Sequence, residues 1–368
     1  MYYRNSQAVF RRNRGFSLVE LMVGMTIGLL VVIVIMQSFT VFESQKRTTT
    51  AGSDAQTNGL MVMTQLEQEI RNSGGGFTSD SAFSCNTIYS YFNDGTTVTS
   101  PAPAFTSTLA PVMITDGGAG SDTITIKRGT NFLGSIPATL TSEMPNTSAE
   151  LNVTSTQGFV EPNKILVSQN GVCTVMETTQ VQDATLKIQH NPAGSGPSWN
   201  PPANFFNTPP GDSWPGATGV AAPPNYTTGA KILNIGDLVV KTYSIDANNN
   251  LQVLDSSTNL AANATYPLVR DIVSLQAEYG ISTGTGVQPV SSWVAATGTW
   301  SALDATEIAR IKAIRLTLVA RSSKKETANV TTAAPGGVDV SNLTDWQKYR
   351  YRVYTTIIPL RNIIWSNI

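Results

Sequence analysis

The most unusual chemical group in this sequence is an acid inside an apolar run. Residues 16–36 are almost wholly apolar, and Glu20 is their one ionisable side chain. A helix of this length would reach about 31 Å, which is enough to cross a hydrocarbon layer of about 30 Å. A carboxylate inside that layer costs roughly 2.5–3.5 kcal/mol. We therefore expect Glu20 to have a partner that offsets this cost.

The residues before the run are basic. Residues 1–15 contain four arginines, Arg11, Arg12 and Arg14 among them, and no acid. This asymmetry predicts that the amino end stays in the cytoplasm and that the rest of the chain lies outside. Residues 36–39 offer no small-x-small site for a signal peptidase, which argues against an ordinary cleaved signal. A plain membrane anchor would explain the arginines and the run, but not the acid.

Residues 14–22 read Arg-Gly-Phe-Ser-Leu-Val-Glu-Leu-Met, which resembles the cleavage and methylation site of a type IV prepilin. The resemblance implies that a membrane peptidase cuts after Gly15 and that the new amino terminus, Phe16, is N-methylated. It also implies that Glu20 faces the amino group of a neighbouring subunit. A carboxylate paired with an ammonium group in a low dielectric is well stabilised, whereas either group alone in lipid is not.

The helix is predicted to continue beyond the membrane. Residues 37–72 contain no proline, and small or apolar residues recur there at spacings of three and four, which predicts an amphipathic helix. This stripe consists of Ala51, Ala55, Gly59, Met63, Leu66 and Ile70. Three glycines at residues 74–76 are expected to end it. The predicted domains are therefore a cleaved leader (1–15), a helix (16–72) whose transmembrane half is 16–36, and a head (73–368).

The head shows the two-residue period of β-strands. Strands are predicted at 122–127, 186–189, 310–321 and 349–360, and residues 268–279 fit either a strand or a helix. Hairpins are predicted where 165–167 and 172–175 flank Asn170-Gly171, and where 238–245 and 251–254 flank residues 246–250. The fold class is α+β, with a long amino-terminal helix packed on a mainly antiparallel, β-rich head.

A loop rich in proline and glycine is predicted at residues 191–230, which hold nine of the 19 prolines. Proline cannot donate to a β-ladder, so a central strand is excluded there. Five aromatic residues are interspersed, namely Trp199, Phe205, Phe206, Trp214 and Tyr226. Either they hold the loop on the head, or they form a docking surface for another pilin.

Candidates for catalysis and metal binding are few. His190 is the only histidine, and no G-x-S-x-G motif accompanies it. The sequence therefore predicts no enzyme activity, no metal site and no cofactor. Four residues loosely resemble a calcium-binding loop, namely Asp246, Asn248, Asn250 and Asp255. The glycine and the distal glutamate of such a loop are missing. A β-turn explains these residues better.

The two cysteines, Cys85 and Cys173, lie in the exported part of the chain. In an oxidising compartment they are expected to form a disulfide. In the chain-entropy model such a bridge would stabilise the protein by at most ~4–5 kcal/mol. The alternative is two inert buried thiols.

The carboxy-terminal part of the chain is basic. Residues 310–361 hold ten basic and three acidic residues. Lys348, Arg350 and Arg352 alternate with other residues, which predicts a cationic face on a strand. One reading of this face is phosphate binding to DNA. The other is a solvent-exposed surface, or one matched to an acidic neighbour.

Three segments outside the leader, 268–280, 311–321 and 351–362, are similar to signatures of the PilW family of minor pilins. The resemblance implies a low-abundance subunit that joins other minor pilins and the major pilin at the filament tip, primes pilus assembly and helps to display a tip adhesin. It implies contact with the prepilin peptidase and an inner-membrane assembly platform. It further implies a single-pass protein of the bacterial inner membrane with a periplasmic head, which then moves to the pilus tip at the cell surface.

Two alternatives remain open at this point. The J-type pseudopilins of type II secretion share the leader and the type of fold. A DNA- or surface-binding tip module would rest on the basic residues near the carboxy terminus, with nucleic acid as the less favoured partner.

Overall fold

The computed structural model describes residues 15–77, 85, 87–100, 102, 109–131, 136–144, 150–192, 197–200, 225–257 and 263–364. The chain forms two compact units, Met1–Ser53 and Asp54–Ile368. Helix α1, Leu18–Asn72, belongs to the first unit up to Ser53 and to the second from Asp54 onward.

Helix α1 ends where the sequence predicts. The hydroxyl of Ser73 donates to the Ile70 carbonyl at 2.7 Å, and Gly74 and Gly76 follow with φ values of 71° and 76°. Glycine adopts this left-handed backbone without steric cost, which makes it a common helix terminator.

The second unit is built mainly from strands. In chain order they are β1 Thr87–Tyr89, β2 Phe92–Asn93, β3 Val98–Thr99, β4 Val112–Thr115, β5 Thr123–Gly129, β6 Ala138–Thr139, β7 Glu150–Asn152, β8 Lys164–Gln169, β9 Val172–Glu177, β10 Gln180–Gln182, β11 Lys187–Gln189, β12 Lys231–Gly236, β13 Leu238–Ile245, β14 Asn250–Asp255, β15 Ala264–Arg270, β16 Ile272–Ile281, β17 Ser292–Val294, β18 Ile311–Arg321 and β19 Tyr351–Pro359. Short helices α2, Ala305–Arg310, and α3, Arg361–Ile364, flank β18 and β19 in sequence.

Two antiparallel sheets pack around the part of α1 from Asp54 to Asn72, the head part of the helix. One has the strand order β15-β14-β13-β5-β4, and the other has the order β17-β16-β18-β19. In the first sheet β13 pairs with β5, so that Leu238 lies opposite Gly129. The second sheet joins β18 to β19 over nine residue pairs without a bulge.

A second set of sheets is formed mainly by the segment between β5 and β13, and β1 joins it from before β5. Its larger sheet has the order β1-β9-β8-β12-β6, and a smaller one has the order β10-β11-β7. Pairing is antiparallel except between β1 and β9. One apolar cluster of these sheets lies around Ile165 and Ile232, and a second, around Val175, also contains Leu238 and Val240 of β13.

The head part of α1 buries the stripe that the periodicity predicts. Leu66 and Ile70 are fully buried, and Ala55 is 1% exposed. They are joined by Val62, which the predicted stripe does not include. Val62, Leu66 and Ile70 lie in one apolar cluster with side chains of both antiparallel sheets, such as Ile124 and Leu316.

The α+β fold class is confirmed, and both predicted hairpins are present as β8–β9 and β13–β14. Asn170 and Gly171 both have positive φ, as a type I′ turn requires. The ambiguous segment 268–279 is extended: it contains the end of β15 and most of β16, with Asp271 at a φ of 61° between them.

Candidate functional site

The first part of α1 exposes an apolar surface on all sides. Phe16 is 83% exposed, and the large apolar side chains from Leu18 to Phe42 are 45–76% exposed. The most apolar eighteen residues of α1 have a mean hydropathy of 2.7, and none of them is buried. By length and composition the helix could cross a membrane.

Glu20 lies in the first turn of this helix and is exposed. No other ionisable side chain occurs between Phe16 and Phe42. A negative side chain in the first turn is favoured by the helix dipole. Its carboxylate can accept hydrogen bonds from an ammonium group, and in an apolar environment such a pair is strong.

Gly15, at the predicted cleavage point, is exposed and lies three residues before Leu18, where α1 begins. A Cβ built on Gly15 would meet no atom within 4 Å. None of the described residues therefore packs against Gly15, where cleavage is predicted. Arg11, Arg12 and Arg14 lie outside the described residues.

Polar contacts fix the head part of α1 to the sheets. The Lys241 ammonium lies 2.6 Å from the Glu69 carboxylate. The Tyr354 hydroxyl donates to the Gln56 carbonyl at 3.2 Å, and the Asn58 amide donates to the Arg270 carbonyl at 3.2 Å.

Gly59 of α1 lies against the ring of Tyr354 of β19. A Cβ at Gly59 would overlap the ring of Tyr354. The absence of a side chain at this position therefore lets the helix lie directly on the strand.

The predicted disulfide is present: Cys85 and Cys173 are bonded, with their Cα atoms 5.6 Å apart. Cys173 is fully buried in β9, where it lies opposite Ile88 of β1. The bridge thus fixes the short parallel strand β1 to the larger sheet.

The three basic residues near the carboxy terminus do not share one strand face. Lys348 lies in a 3-10 helix, Trp346–Lys348, and β19 begins only at Tyr351. Only Arg352 is part of the strand. The Lys348 ammonium lies 3.2 Å from Asp345, and the Arg350 guanidinium lies 3.1 Å from Glu326. Acids of the same head therefore offset part of the predicted charge.

Sequence reasoning missed two arginine contacts on β18. Arg315 forms an ion pair with Glu278, and its guanidinium lies 4.9 Å from the Trp293 ring centre. Arg321 pairs with Asp271 at 3.1 Å, and its guanidinium lies 4.6 Å from the ring centre of Tyr349. The sequence placed both arginines on a predicted strand. It could not identify their partners, because those residues are distant in sequence.

Buried ionisable groups in the head have structural partners. The Asp122 carboxylate accepts bonds from the Gly117 amide at 2.9 Å and the Ala277 amide at 2.7 Å, and burial raises the pKa of Asp122. This carboxylate connects the two antiparallel sheets. Burial lowers the pKa of Lys127 to about 8 and that of His190 to about 4.

The segment resembling a calcium loop is a turn. The Asp246 carboxylate accepts from the backbone amides of Asn248 and Asn250 and from the Asn250 side chain, and the backbone bond from Asn250 is the largest cause of the lowered pKa of Asp246. No group of His, Cys, Asp and Glu residues suited to a metal occurs in the described part of the chain.

Two of the loop aromatics hold their ends of the loop on the head. Trp199 is 6% exposed, with its ring centre 5.1 Å from that of Phe92. Tyr226 is fully buried, and its hydroxyl lies 2.7 Å from that of Thr174. Phe205, Phe206 and Trp214 lie outside the described residues, so the choice between the two readings of the loop stays open there.

In this chain a long apolar amino-terminal helix is followed by a head of mainly antiparallel sheets. Residues 10–36 match the model of the prokaryotic N-terminal methylation motif. Residues 240–362 match the model of the type IV pilus-assembly protein W family, PilW. The chain thus matches the N-terminal methylation motif at its amino end and the PilW family over about a third of its length. The PilW match contains all three segments on which the sequence resemblance rests.

A type IV-like pilin from Thermus thermophilus is 16% identical, with 36% of this chain and 69% of that chain covered and a TM-score of 0.19. No curated protein matches the chain. The matched family is one of structural pilins, and the motif and the apolar helix fit a membrane-anchored pilin that interacts with other pilins.

Proposed function

We propose that this chain is a minor pilin that primes the assembly of a type IV pilus and is incorporated at its tip. The exposed apolar part of α1, in which Glu20 is the single acid between Phe16 and Phe42, is the observation that carries the proposal. An apolar surface of this size must be covered by lipid or by other apolar helices. A type IV filament supplies both in turn, first the inner membrane and then a bundle of subunit helices.

Processing comes first in the proposed sequence of events. The leader arginines hold the amino end in the cytoplasm, and prepilin peptidase cuts after Gly15. The Phe16 amine that this cut frees is then methylated. Mass spectrometry of the mature protein from membranes tests this step. A methylated phenylalanine as first residue is expected, and an intact Met1 terminus would contradict it.

Assembly follows through one ion pair. Glu20 binds the amino group of a neighbouring subunit, which offsets the cost of both charges in an apolar bundle. The apolar helices then bundle as the assembly platform extracts the subunit from the bilayer. At the tip, the head meets other minor pilins and presents an adhesin.

A substitution separates this role from anchoring. Glu20→Ala is expected to be cleaved and stable, but to give at least tenfold fewer pili, counted by electron microscopy. Glu43→Ala is the matched control, because Glu43 lies on the same helix outside the apolar run. Normal piliation in the Glu20 variant would show that this pair is dispensable.

The PilW match favours a pilus over a type II secretion system. Deletion of the gene is therefore expected to abolish pili while secretion of exoproteins continues. The opposite result would identify the chain as a J-type pseudopilin.

A further inference from the structure

A cavity of about 530 Å³ lies between the β13–β14 turn, the end of β18 and the loop that precedes β19. Its volume is within the range of small-molecule sites. Most of the side chains that line it are polar, Asn249, Asn342, Thr344 and Tyr349 among them. We name it the asparagine cavity, after Asn249 and Asn342.

The two asparagines present unused hydrogen-bonding groups to this cavity. Neither side-chain amide makes a hydrogen bond with a described residue, and the same holds for the hydroxyl of Thr344. An amide donates through its nitrogen and accepts through its oxygen, and a hydroxyl does both through one atom. The asparagine cavity is therefore suited to a molecule that donates and accepts at several points.

Both asparagines are held in place by the fold. Asn249 has a φ of 60°, its amide donates to the Asp246 carbonyl at 3.0 Å, and its carbonyl accepts from the Ile272 amide at 3.0 Å. The loop of Asn342 is anchored by Val340, which is 2% exposed and lies in an apolar cluster with residues of β16 and β18. Groups that are already fixed lose little entropy when they bind.

The charged side chains of the asparagine cavity are already paired. Arg321 lies 3.1 Å from the carboxylate of Asp271, outside the lining. Lys325 lies 3.0 Å from Asp345, which lines the cavity as well. An ionic molecule would have to compete with these pairs. The cavity therefore favours a molecule without charge.

An aromatic ring completes the lining. Tyr349 is half-buried, and the guanidinium of Arg321 lies 4.6 Å from the centre of its ring. Tyrosine offers an apolar ring together with a polar hydroxyl. A sugar ring has the matching distribution, with hydroxyl groups around its rim and C–H groups on its faces.

Asn342 also lines a second cavity, of about 290 Å³, between the β4–β5 turn, β16 and residues 337–339. Ser274 lines this second cavity and is only 5% exposed, and its hydroxyl makes no hydrogen bond with a described residue. A buried hydroxyl without a partner costs free energy, which a bound molecule can recover. Asp339 is the one charged residue of its lining, so that anions are disfavoured there.

We propose that the head binds a neutral saccharide, with one sugar ring in the asparagine cavity and a second ring in the cavity lined by Ser274. Asn342 bonds to both rings, because it lines both cavities. Asn249 and Thr344 bond to hydroxyls of the first ring, and the Tyr349 ring packs on its C–H groups. Saccharide binding is a role that pilus assembly does not require, since all these residues lie on the head.

A panel of neutral sugars tests the proposal on the full chain. Glucose, galactose, mannose and N-acetylglucosamine, with their disaccharides, are the probes. The chain is kept in a detergent without a sugar head group, and saturation-transfer NMR and titration calorimetry measure binding. We expect millimolar affinity for at least one monosaccharide and tighter binding of a disaccharide that contains it.

Three substitutions locate the site. Asn342→Ala and Asn249→Gly are each expected to weaken binding about tenfold, because each removes the hydrogen bonds of one amide. Glycine accepts the positive φ at position 249, so the turn is preserved. Thr344→Trp is expected to abolish binding by filling the cavity, and Thr344 is exposed.

Asn248→Ala is the matched control, because Asn248 is exposed in the same turn as Asn249 but lines neither cavity. Binding to this variant is expected to be unchanged, and equal melting temperatures exclude misfolding in all four. The number of pili is also expected to be unchanged in all four.

Several results would overturn the proposal. They are the absence of binding across the whole panel, full binding by the Thr344→Trp variant, and binding of inorganic phosphate or an acidic peptide in place of sugars. A loss of pili in the Asn342→Ala variant would instead assign the cavity to contact with another pilin.

Discussion

The two parts of helix α1 share one secondary structure but have opposite surroundings. From Leu18 to Phe42 the side chains are apolar on every side and exposed. From Asp54 to Asn72 a single stripe is apolar and buried, while the remaining side chains are mostly polar. A helix that is apolar all round needs an apolar environment on every side, whereas a striped helix needs one partner surface. The distribution of apolar residues around the helix thus separates the part that is suited to lipid or to a bundle of apolar helices from the part that belongs to the head.

The acidic residues of α1 also differ between its two parts. In the head part Glu69 is paired with Lys241 of the same chain, 2.6 Å away. In the apolar part no basic side chain accompanies Glu20. An acid with its own partner contributes to the fold, and an acid without one in the same apolar run is suited to a partner from outside.

The largest expected effect contrasts two leucines of α1. Leu66 is fully buried, so Leu66→Ala is expected to lower the free energy of unfolding of the head by about 3–5 kcal/mol. Leu30 is 61% exposed, so Leu30→Ala is expected to change that energy by less than about 0.5 kcal/mol. Denaturant unfolding in detergent, followed by tryptophan fluorescence, measures both. Equal losses would show that the two parts of the helix are not distinct in this way.

Lowering the pH is expected to destabilise the head and to leave the apolar part of α1 unchanged. Burial lowers the pKa of His190 to about 4, below the unfolded value of about 6.5. Above pH 6.5 His190 is neutral in both the folded and the unfolded chain, and the free energy of unfolding has its full value. As the pH falls from 6.5 to 4, the unfolded chain takes up the proton first, so that the free energy of unfolding decreases. The loss is roughly 3 kcal/mol.

Denaturant unfolding at pH 7 and at pH 4.5 measures this effect. His190→Gln is expected to remove a large part of the difference between the two pH values, while helix content in lipid stays the same. An unchanged pH dependence in the variant would assign the effect to other groups.

The smallest effect contrasts two glycines of α1. Gly59→Ala is expected to cost about 1–3 kcal/mol, because its Cβ would overlap the Tyr354 ring. Gly52→Ala meets no atom within 4 Å and is expected to be neutral or to stabilise the helix by up to about 1 kcal/mol. Thermal unfolding followed by circular dichroism distinguishes these two signs, and a destabilising Gly52 variant would contradict the open surface there.

Much of this architecture could be predicted from local patterns. Asn170-Gly171 determines its hairpin because both residues accept a positive φ, and the spacing of Leu66 and Ile70 identifies the buried stripe. Strand β12 was missed because Ile232, Leu233 and Ile235 show no alternation and directly follow the proline-rich loop. A strand buried on both faces gives no two-residue period.

Contacts between residues distant in sequence could not be predicted from local patterns. The alternation of Lys348, Arg350 and Arg352 predicted one cationic strand, but the turn at Trp346–Lys348 precedes the strand, so that only Arg352 is part of it. The pairing of Arg350 with Glu326 depends on how a loop returns to the sheet. The disulfide was predictable from chemistry because only two cysteines exist.

The pairing of Leu238 with Gly129 has a consequence for how such a chain can vary. The two ends of the intervening segment are neighbours on adjacent strands, so everything between them departs from and returns to one place. The segment is not independent, however, because β1 and Cys85, which precede β5 in the chain, are joined to it through the β1–β9 ladder and the bridge to Cys173. A variant that exchanges the segment would therefore have to keep β9 and Cys173 to remain attached to the rest of the head.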